Sequence, residues 1–183
     1  MKILFINACV RKESRTLVLA NELLSGLPGE IEELKLVELN LKPLDEQRIN
    51  SRLINEEEQV YAKQFAAADI IVIAAPMWDL SFPALLKLYV ENITIKGITF
   101  KYTETGIVGL CKAKKLYYIS TSGGSFVPDF GYEYIKALSN VMFGISNVEI
   151  FKAEGLDIWG NNVEEILDSA IIKIEDYLLN VKE

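Results

Sequence analysis

The chain has 183 residues, enough for one domain spanning residues 1–183, with a formal net charge of −7, two cysteines and no histidine. The acidic balance argues against nucleic acid and anionic membranes as partners, and no apolar run is long enough to span a bilayer. The missing histidine excludes Ser-His-Asp and Cys-His catalysis and histidine zinc sites. Cys9 and Cys111 show no metal-ligand spacing and, without a secretory segment, indicate a cytoplasmic protein.

Hydrophobic periodicity and turn residues predict alternating strands and helices. In chain order, we predict a strand at 2–8, a helix at 16–27, an edge strand at 32–39, a loop at 41–50, a helix at 51–68, a buried strand at 69–75, a helix at 82–93, an irregular stretch compatible with a hairpin at 97–110, a strand at 115–120, a helix at 129–143, a strand at 147–153 and a helix at 161–181. Asp129 is expected to cap the fourth helix, and Asn161 with Glu164 the last. This alternation predicts an α/β fold with a parallel sheet and helices on both faces.

Ligands of such sheets bind at the carboxyl ends of the strands, where three predicted loops meet. The first loop, residues 8–15, brings Arg11, Ser14, Arg15 and Thr16 to the start of the first helix. Free N–H groups and the helix dipole suit a phosphate there, although Ser14 could be only an N-cap. The loop has neither a G-x-G-x-x-G nor a GK[ST] motif, so a single phosphate monoester fits better than a dinucleotide or nucleoside triphosphate.

The other two loops carry apolar and glycine residues. The second, residues 75–82, contains the run Pro76, Met77, Trp78, Asp79 and Leu80. Its apolar members would be exposed unless a flat ligand, a neighbouring helix or a second subunit covers them. In the third, residues 120–128, Gly123-Gly124 either lets the backbone approach a ligand or forms an ordinary turn. Together the three loops predict a phosphorylated planar cofactor across the rim of the sheet.

The chain resembles the FMN-dependent NADH-azoreductase and NAD(P)H quinone reductase group of flavodoxin-like proteins. The resemblance covers nearly the whole chain, and residues 76–80 and 99–106 are its most specific stretches. It implies a doubly wound five-stranded parallel sheet of order 2-1-3-4-5, FMN as cofactor, and NADH or NADPH as co-substrate. It also implies a homodimer in which residues 99–106 help to wall the pocket.

The resemblance further implies which residues hold FMN. The phosphate would be bound by Cys9, Ser14, Arg15 and Thr16, with Arg11 beside them, and the ring would lie between residues 76–80 and the run Thr121, Ser122, Gly123 and Gly124. Cys9 stands where family members usually carry a hydroxyl. Because a thiol is a weaker donor, Arg11 and Arg15 are expected to contribute more to binding the phosphate. Asp79 adds a carboxylate near the ring, which would lower the flavin potential.

The expected activity is ping-pong hydride transfer from NADH or NADPH through FMN to a quinone, azo compound, nitroaromatic or flavin. No catalytic side chain and no metal are assigned, because the flavin carries the chemistry. The alternatives are a flavodoxin-type electron carrier and a non-catalytic flavin-binding regulator. A response-regulator receiver is rejected because Asn7-Ala8 and Ala75-Pro76 replace its acidic residues. Asp157 and Trp159 follow the fifth strand and are considered as substrate contacts without being assigned.

Overall fold

A five-stranded parallel sheet forms the centre of the protein, whose computed structural model describes residues 1–125 and 129–181. The strands are β1 (Lys2–Asn7), β2 (Glu30–Lys35), β3 (Ile70–Ala74), β4 (Phe100–Thr103), β5 (Gly106–Gly109), β6 (Lys115–Thr121) and β7 (Asn147–Ala153). The sheet order is β2-β1-β3-β6-β7, with every pairing parallel. This order confirms the predicted 2-1-3-4-5 arrangement, because β4 and β5 form a separate antiparallel hairpin.

Helices cover both faces of the sheet. They are α1 (Arg15–Gly26), α2 (Glu46–Ser51), α3 (Val60–Ala67), α4 (Ala84–Ile93), α5 (Phe130–Leu138) and α6 (Val163–Val181). Alternate residues of β1 point to opposite faces, as strand geometry requires. Ile6 packs in the cluster that contains residues of α3, α4 and α5, whereas Phe5 packs in the cluster with residues of α1 and α6. Two apolar layers therefore hold the sheet, and its carboxyl edge is left to the loops.

The segment before β3 departs from the prediction. Helix α2 lies largely in the predicted loop at 41–50, because the side chain of Asp45 caps it by accepting from the Arg48 N–H at 2.8 Å. The predicted helix at 51–68 is wrong as one element. The Asn55 side chain accepts from the Glu57 N–H at 3.0 Å and begins a 3₁₀ turn, Glu56–Gln59, before α3. These short polar side chains offer the backbone a local alternative to a continuous helix.

The helix caps were predicted with mixed success. Asp129 is confirmed as the cap of α5, because its side chain accepts from the N–H groups of Gly131 and Tyr132, each at 3.0 Å. The cap of α6 lies one residue later than predicted. Asn162 accepts from the Glu164 and Glu165 N–H groups at 3.1 and 3.4 Å, and its amide donates to the Glu165 carboxylate at 2.8 Å. Asn161 instead donates to a loop carbonyl, that of Gly155, at 2.8 Å.

The β4–β5 hairpin, compatible with the prediction for residues 97–110, packs closely against the chain that follows α5. A Cβ on Gly109 would lie 2.1 Å from the Gly144 nitrogen, so only glycine fits there. Gly144 itself has φ +74, a left-handed conformation that glycine adopts readily, and it ends the π-helical turn Ser139–Phe143. Within residues 1–125 and 129–181, no helix combines the length and apolarity needed to cross a bilayer.

Candidate cofactor site at the carboxyl edge of the sheet

A cleft of about 400 Å³ opens where β1, β3 and β6 end. Its volume falls within the range of small-molecule and cofactor sites. The lining residues come from four loops and are Val10, Arg11, Glu13, Ser14, Arg15, Thr16, Pro76, Met77, Trp78, Thr121, Ser122, Gly123, Leu156 and Asp157. The three loops predicted from sequence therefore do meet at one rim. The fourth, after β7, supplies Leu156 and Asp157, which the sequence analysis did not assign, although the carboxyl end of the fifth strand reaches the same edge.

The first loop presents unpaired backbone donors to this cleft. At its base the Asn7 side chain accepts from the Cys9 N–H at 2.9 Å and donates to Glu33 at 2.8 Å, which fixes where the chain leaves β1. Beyond it, the N–H groups of residues 10–16 donate no hydrogen bond to any residue that the structure describes. Ser14 caps α1, its hydroxyl accepting from the Leu17 N–H at 3.4 Å. Unpaired N–H groups at the positive end of a helix form a site for an anion.

Two predicted phosphate contacts have other partners in this structure. The Arg15 guanidinium forms a 2.9 Å ion pair with Asp157. Thr16 is fully buried, and its hydroxyl lies 2.6 Å from that of Thr121. Arg15 can change partner because it is a long, partly exposed side chain, whereas the Thr16 hydroxyl is held in the interior.

Cys9 lies beneath the first loop and is not among the lining residues of the cleft. Its side chain is buried, and its sulfur is 3.8 Å from the Ala74 carbonyl oxygen. Burial raises the pKa of the Cys9 thiol above its ordinary value, with a smaller contribution from the Glu33 carboxylate. The thiol is therefore held neutral by its surroundings, and its position supports the loop from below.

The second loop forms an apolar wall. The Met77 N–H donates to the Thr121 carbonyl at 2.9 Å, which ties the loop to the end of β6. Trp78 and Ser81 then exchange two backbone hydrogen bonds of 2.9 Å across a tight turn. At the tip of this turn Asp79 and Leu80 have φ of 52° and 65°, a strained conformation for residues other than glycine. Neither tip residue lines the cleft, whereas Pro76, Met77 and Trp78 do.

The third loop is held by the chain after β7 and leaves two amide groups available. The carbonyls of Ser122, Gly123 and Gly124 accept from the N–H groups of residues 155–157 at 2.9 to 3.1 Å. A Cβ on Gly123 would lie 2.5 Å from a carboxylate oxygen of Asp157, so a larger residue here would require the Asp157 side chain to move. The N–H groups of Gly123 and Gly124 donate no hydrogen bond within the described ranges. Gly124 is not a lining residue, and residues 126–128 of the predicted loop lie outside the described residues.

A doubly wound parallel sheet of order 2-1-3-4-5, with a ligand cleft at its carboxyl edge, defines a flavodoxin-like protein. The sequence matches the family described as flavodoxin-like fold over residues 1–178. The chain belongs to this family, and within it to the group that includes FMN-dependent NADH:quinone oxidoreductases, as the resemblance predicted.

Two relatives and one solved structure illustrate the likeness. The FMN-dependent NADH:quinone oxidoreductase of Clostridium beijerinckii is 38% identical over 197 aligned positions, which cover 98% of each chain. The FMN-dependent NADH:quinone oxidoreductase of Coprothermobacter proteolyticus is 37% identical, and the alignment covers 95% of this chain and 96% of the relative. The FMN-dependent NADH-azoreductase of Bacillus anthracis, solved in complex with FMN, is 26% identical with a TM-score of 0.84, covering 100% of this chain and 99% of its own.

Proposed function

We propose that this protein is an FMN-dependent oxidoreductase that takes reducing equivalents from NADH or NADPH and delivers them to a quinone, an azo compound or another small acceptor. The names of its relatives support this activity. The observation that carries the proposal is the cleft itself, in which unpaired N–H groups at the start of α1 adjoin the apolar wall 76–78 and the amides of Gly123 and Gly124.

The start of α1 fits the FMN phosphate. The N–H groups of residues 10–16 are free to donate to phosphate oxygens, and Arg11, Ser14 and Arg15 line the same cleft. The helix dipole contributes about 1 to 2 kcal/mol to binding an anion in a partly buried site. Thr16 and Cys9 would act from beneath, because both are buried and hold the loop in shape.

The other two walls fit the flavin ring. Met77 and Trp78 offer an apolar surface on one side, and Thr121, Ser122 and Gly123 offer backbone on the other. Burying about 200 Å² of ring would contribute roughly 5 kcal/mol at 25 cal/mol per Å². The ring walls therefore contribute more to affinity than the helix dipole does. Asp79 and Leu80 would act by fixing the strained turn that positions Trp78.

FMN, when bound, would supply the hydride chemistry, so the chain needs no general base and its lack of histidine is no obstacle. The N–H groups of Gly123 and Gly124 are placed to donate to a carbonyl-rich ring edge and to stabilise negative charge there. With FMN bound, the apolar wall would help to exclude water from the face where the nicotinamide and the acceptor would alternate.

We further propose a cytoplasmic homodimer with the site near the subunit boundary. Large apolar side chains are exposed beside the cleft: Trp78 and Leu80 in the second loop, and Phe130 at the start of α5, whose N–H donates to the Leu80 carbonyl at 3.2 Å. Such a patch is typical of a surface that another chain covers. Tyr102, Ile107 and Val108 of the hairpin are also exposed, consistent with a role for this segment in the assembly.

An absorbance spectrum of the purified protein, followed by release and mass identification of the flavin, tests the proposal. We expect a yellow protein containing FMN that bleaches under anaerobic NADH or NADPH and recovers its colour when a soluble benzoquinone is added. Catalytic turnover of nicotinamide by the protein alone separates the enzyme from an electron carrier. A colourless protein that binds no added FMN contradicts the proposal.

A further inference from the structure

The Arg15–Asp157 ion pair joins the start of α1 to the loop after β7, two segments 142 positions apart in the chain. Both residues line the cleft. The pair therefore lies within the site proposed for FMN, and it holds the guanidinium of the first residue of α1.

Asp157 is anchored through its backbone. The Asp157 N–H donates to the Gly123 carbonyl at 2.9 Å, which places its short side chain beside Gly123. Both side chains of the pair are partly exposed, 43% for Arg15 and 71% for Asp157. Because the Arg15 side chain is the longer and has more rotatable bonds, its guanidinium has the greater reach towards a second anion in the cleft.

We infer that Asp157 competes with the cofactor phosphate for Arg15, and thereby lowers affinity for phosphorylated flavins relative to riboflavin. The inference rests on the proposed function. A carboxylate and a phosphate both satisfy a guanidinium through charge-assisted hydrogen bonds, so each contact that Arg15 makes with one anion is withheld from the other. The negative charge of Asp157 also opposes a second anion in the same cleft.

The size of the effect follows from the exposure of the pair. Exposed ion pairs contribute about 0.2 to 1 kcal/mol, so releasing Arg15 should tighten phosphate binding about 1.4- to fivefold. The competition tunes affinity rather than abolishing it, since the free N–H groups of residues 10–16 remain available.

The test measures dissociation constants of FMN and riboflavin for apoprotein carrying Asp157→Asn. We expect FMN to bind about 1.4- to fivefold more tightly than to the wild type, with riboflavin unchanged. Asp168→Asn removes the same charge from an exposed position on α6 and should change neither constant. Arg15→Ala should weaken FMN binding more in the Asp157→Asn background than in the wild type, because the guanidinium is then uncommitted.

Weaker FMN binding by Asp157→Asn, equal shifts for both flavins, or no shift at all would overturn the inference. Asp157→Ser also removes the carboxylate and replaces the first variant if that one does not fold. A wild-type protein that binds neither flavin would instead refute the proposed function, so the two failures are distinguishable.

Discussion

The hydroxyl groups of Thr16 and Thr121 lie 2.6 Å apart in the interior and join the first turn of α1 to the end of β6. Thr16 is fully buried and Thr121 is 8% exposed. The phosphate-binding segment and the ring-binding segment proposed here are therefore connected through a buried hydrogen bond.

Thr16→Val should lower the free energy of unfolding by about 1–3 kcal/mol, because it removes one partner and leaves the buried Thr121 hydroxyl unsatisfied. Thr121→Val should have a similar effect. The double variant should lose less free energy of unfolding than the sum of the two single losses, because it leaves no buried hydroxyl without a hydrogen-bond partner. Urea unfolding of the four proteins measures the coupling, and additive effects would show that the hydroxyls do not interact.

Replacing Ser14 and Arg15 together by alanine tests the placement of the phosphate. We expect the double variant to lose at least tenfold in FMN affinity, because it removes the hydroxyl at the start of α1 and a guanidinium of the cleft, with charge-assisted hydrogen bonds contributing about 1.5–3 kcal/mol each. Riboflavin, which has no phosphate, should bind as before. Unchanged FMN affinity would place the phosphate elsewhere.

Two glycine positions should differ in their tolerance of a methyl group. A Cβ at Gly109 meets backbone atoms at 2.1 Å, whereas a Cβ at Gly123 meets the end of the Asp157 side chain at 2.5 Å. Gly109→Ala should therefore destabilise by about 3 kcal/mol or more, near the upper end for overpacking, and Gly123→Ala by less. Thermal or urea unfolding ranks them, and the reverse order would contradict the packing argument. Adding Asp157→Ala should reduce the loss of stability caused by Gly123→Ala but not the loss caused by Gly109→Ala.

Asp69 should make stability depend on acid pH. Hydrogen bonds from Lys112 and from the Lys2 N–H hold the pKa of its carboxyl below the ordinary value. Because the folded-state pKa is the lower one, this stabilisation is present above the unfolded pKa of about 3.9 and is lost as pH falls through the folded value. Asp69→Asn should be less stable than the wild type at pH 7, and the difference should vanish at low pH. A difference that persists at pH 2 would contradict this explanation.

Both thiols should be unreactive in the native protein. Burial raises the pKa of Cys9, and it raises the pKa of Cys111 to about 12, so little of the reactive thiolate forms near neutral pH. We expect a disulfide reagent such as DTNB to label neither cysteine at pH 8 in buffer and both in urea. In urea, the Cys9→Ser variant should show one reactive thiol instead of two. Rapid labelling of native Cys9 would contradict the argument from burial.

Much of the site could be predicted because the signals are local. Apolar runs of strand length and the loops that follow them are set by neighbouring residues, and the carboxyl ends of parallel strands necessarily share one edge. Val10, Pro76 and Thr121 thus meet at one cleft, as the alternating pattern predicted. The cap of α6 shows the limit of such reasoning, since Asn161 and Asn162 are chemically equivalent and only the carbonyl of Gly155 decides between them.

The sequence by itself determined the order of the elements, the parallel sheet and the three loops that meet at its rim, because each depends on short-range periodicity and turn chemistry. Only the tertiary structure decided which partner each polar side chain takes. It turned Arg15 towards Asp157 and Cys9 inward towards Ala74. Partner choice depends on which groups the packed chain brings within about 3 Å of one another, the distance that a hydrogen bond requires. The spacing of residues along the chain does not specify which groups come that close.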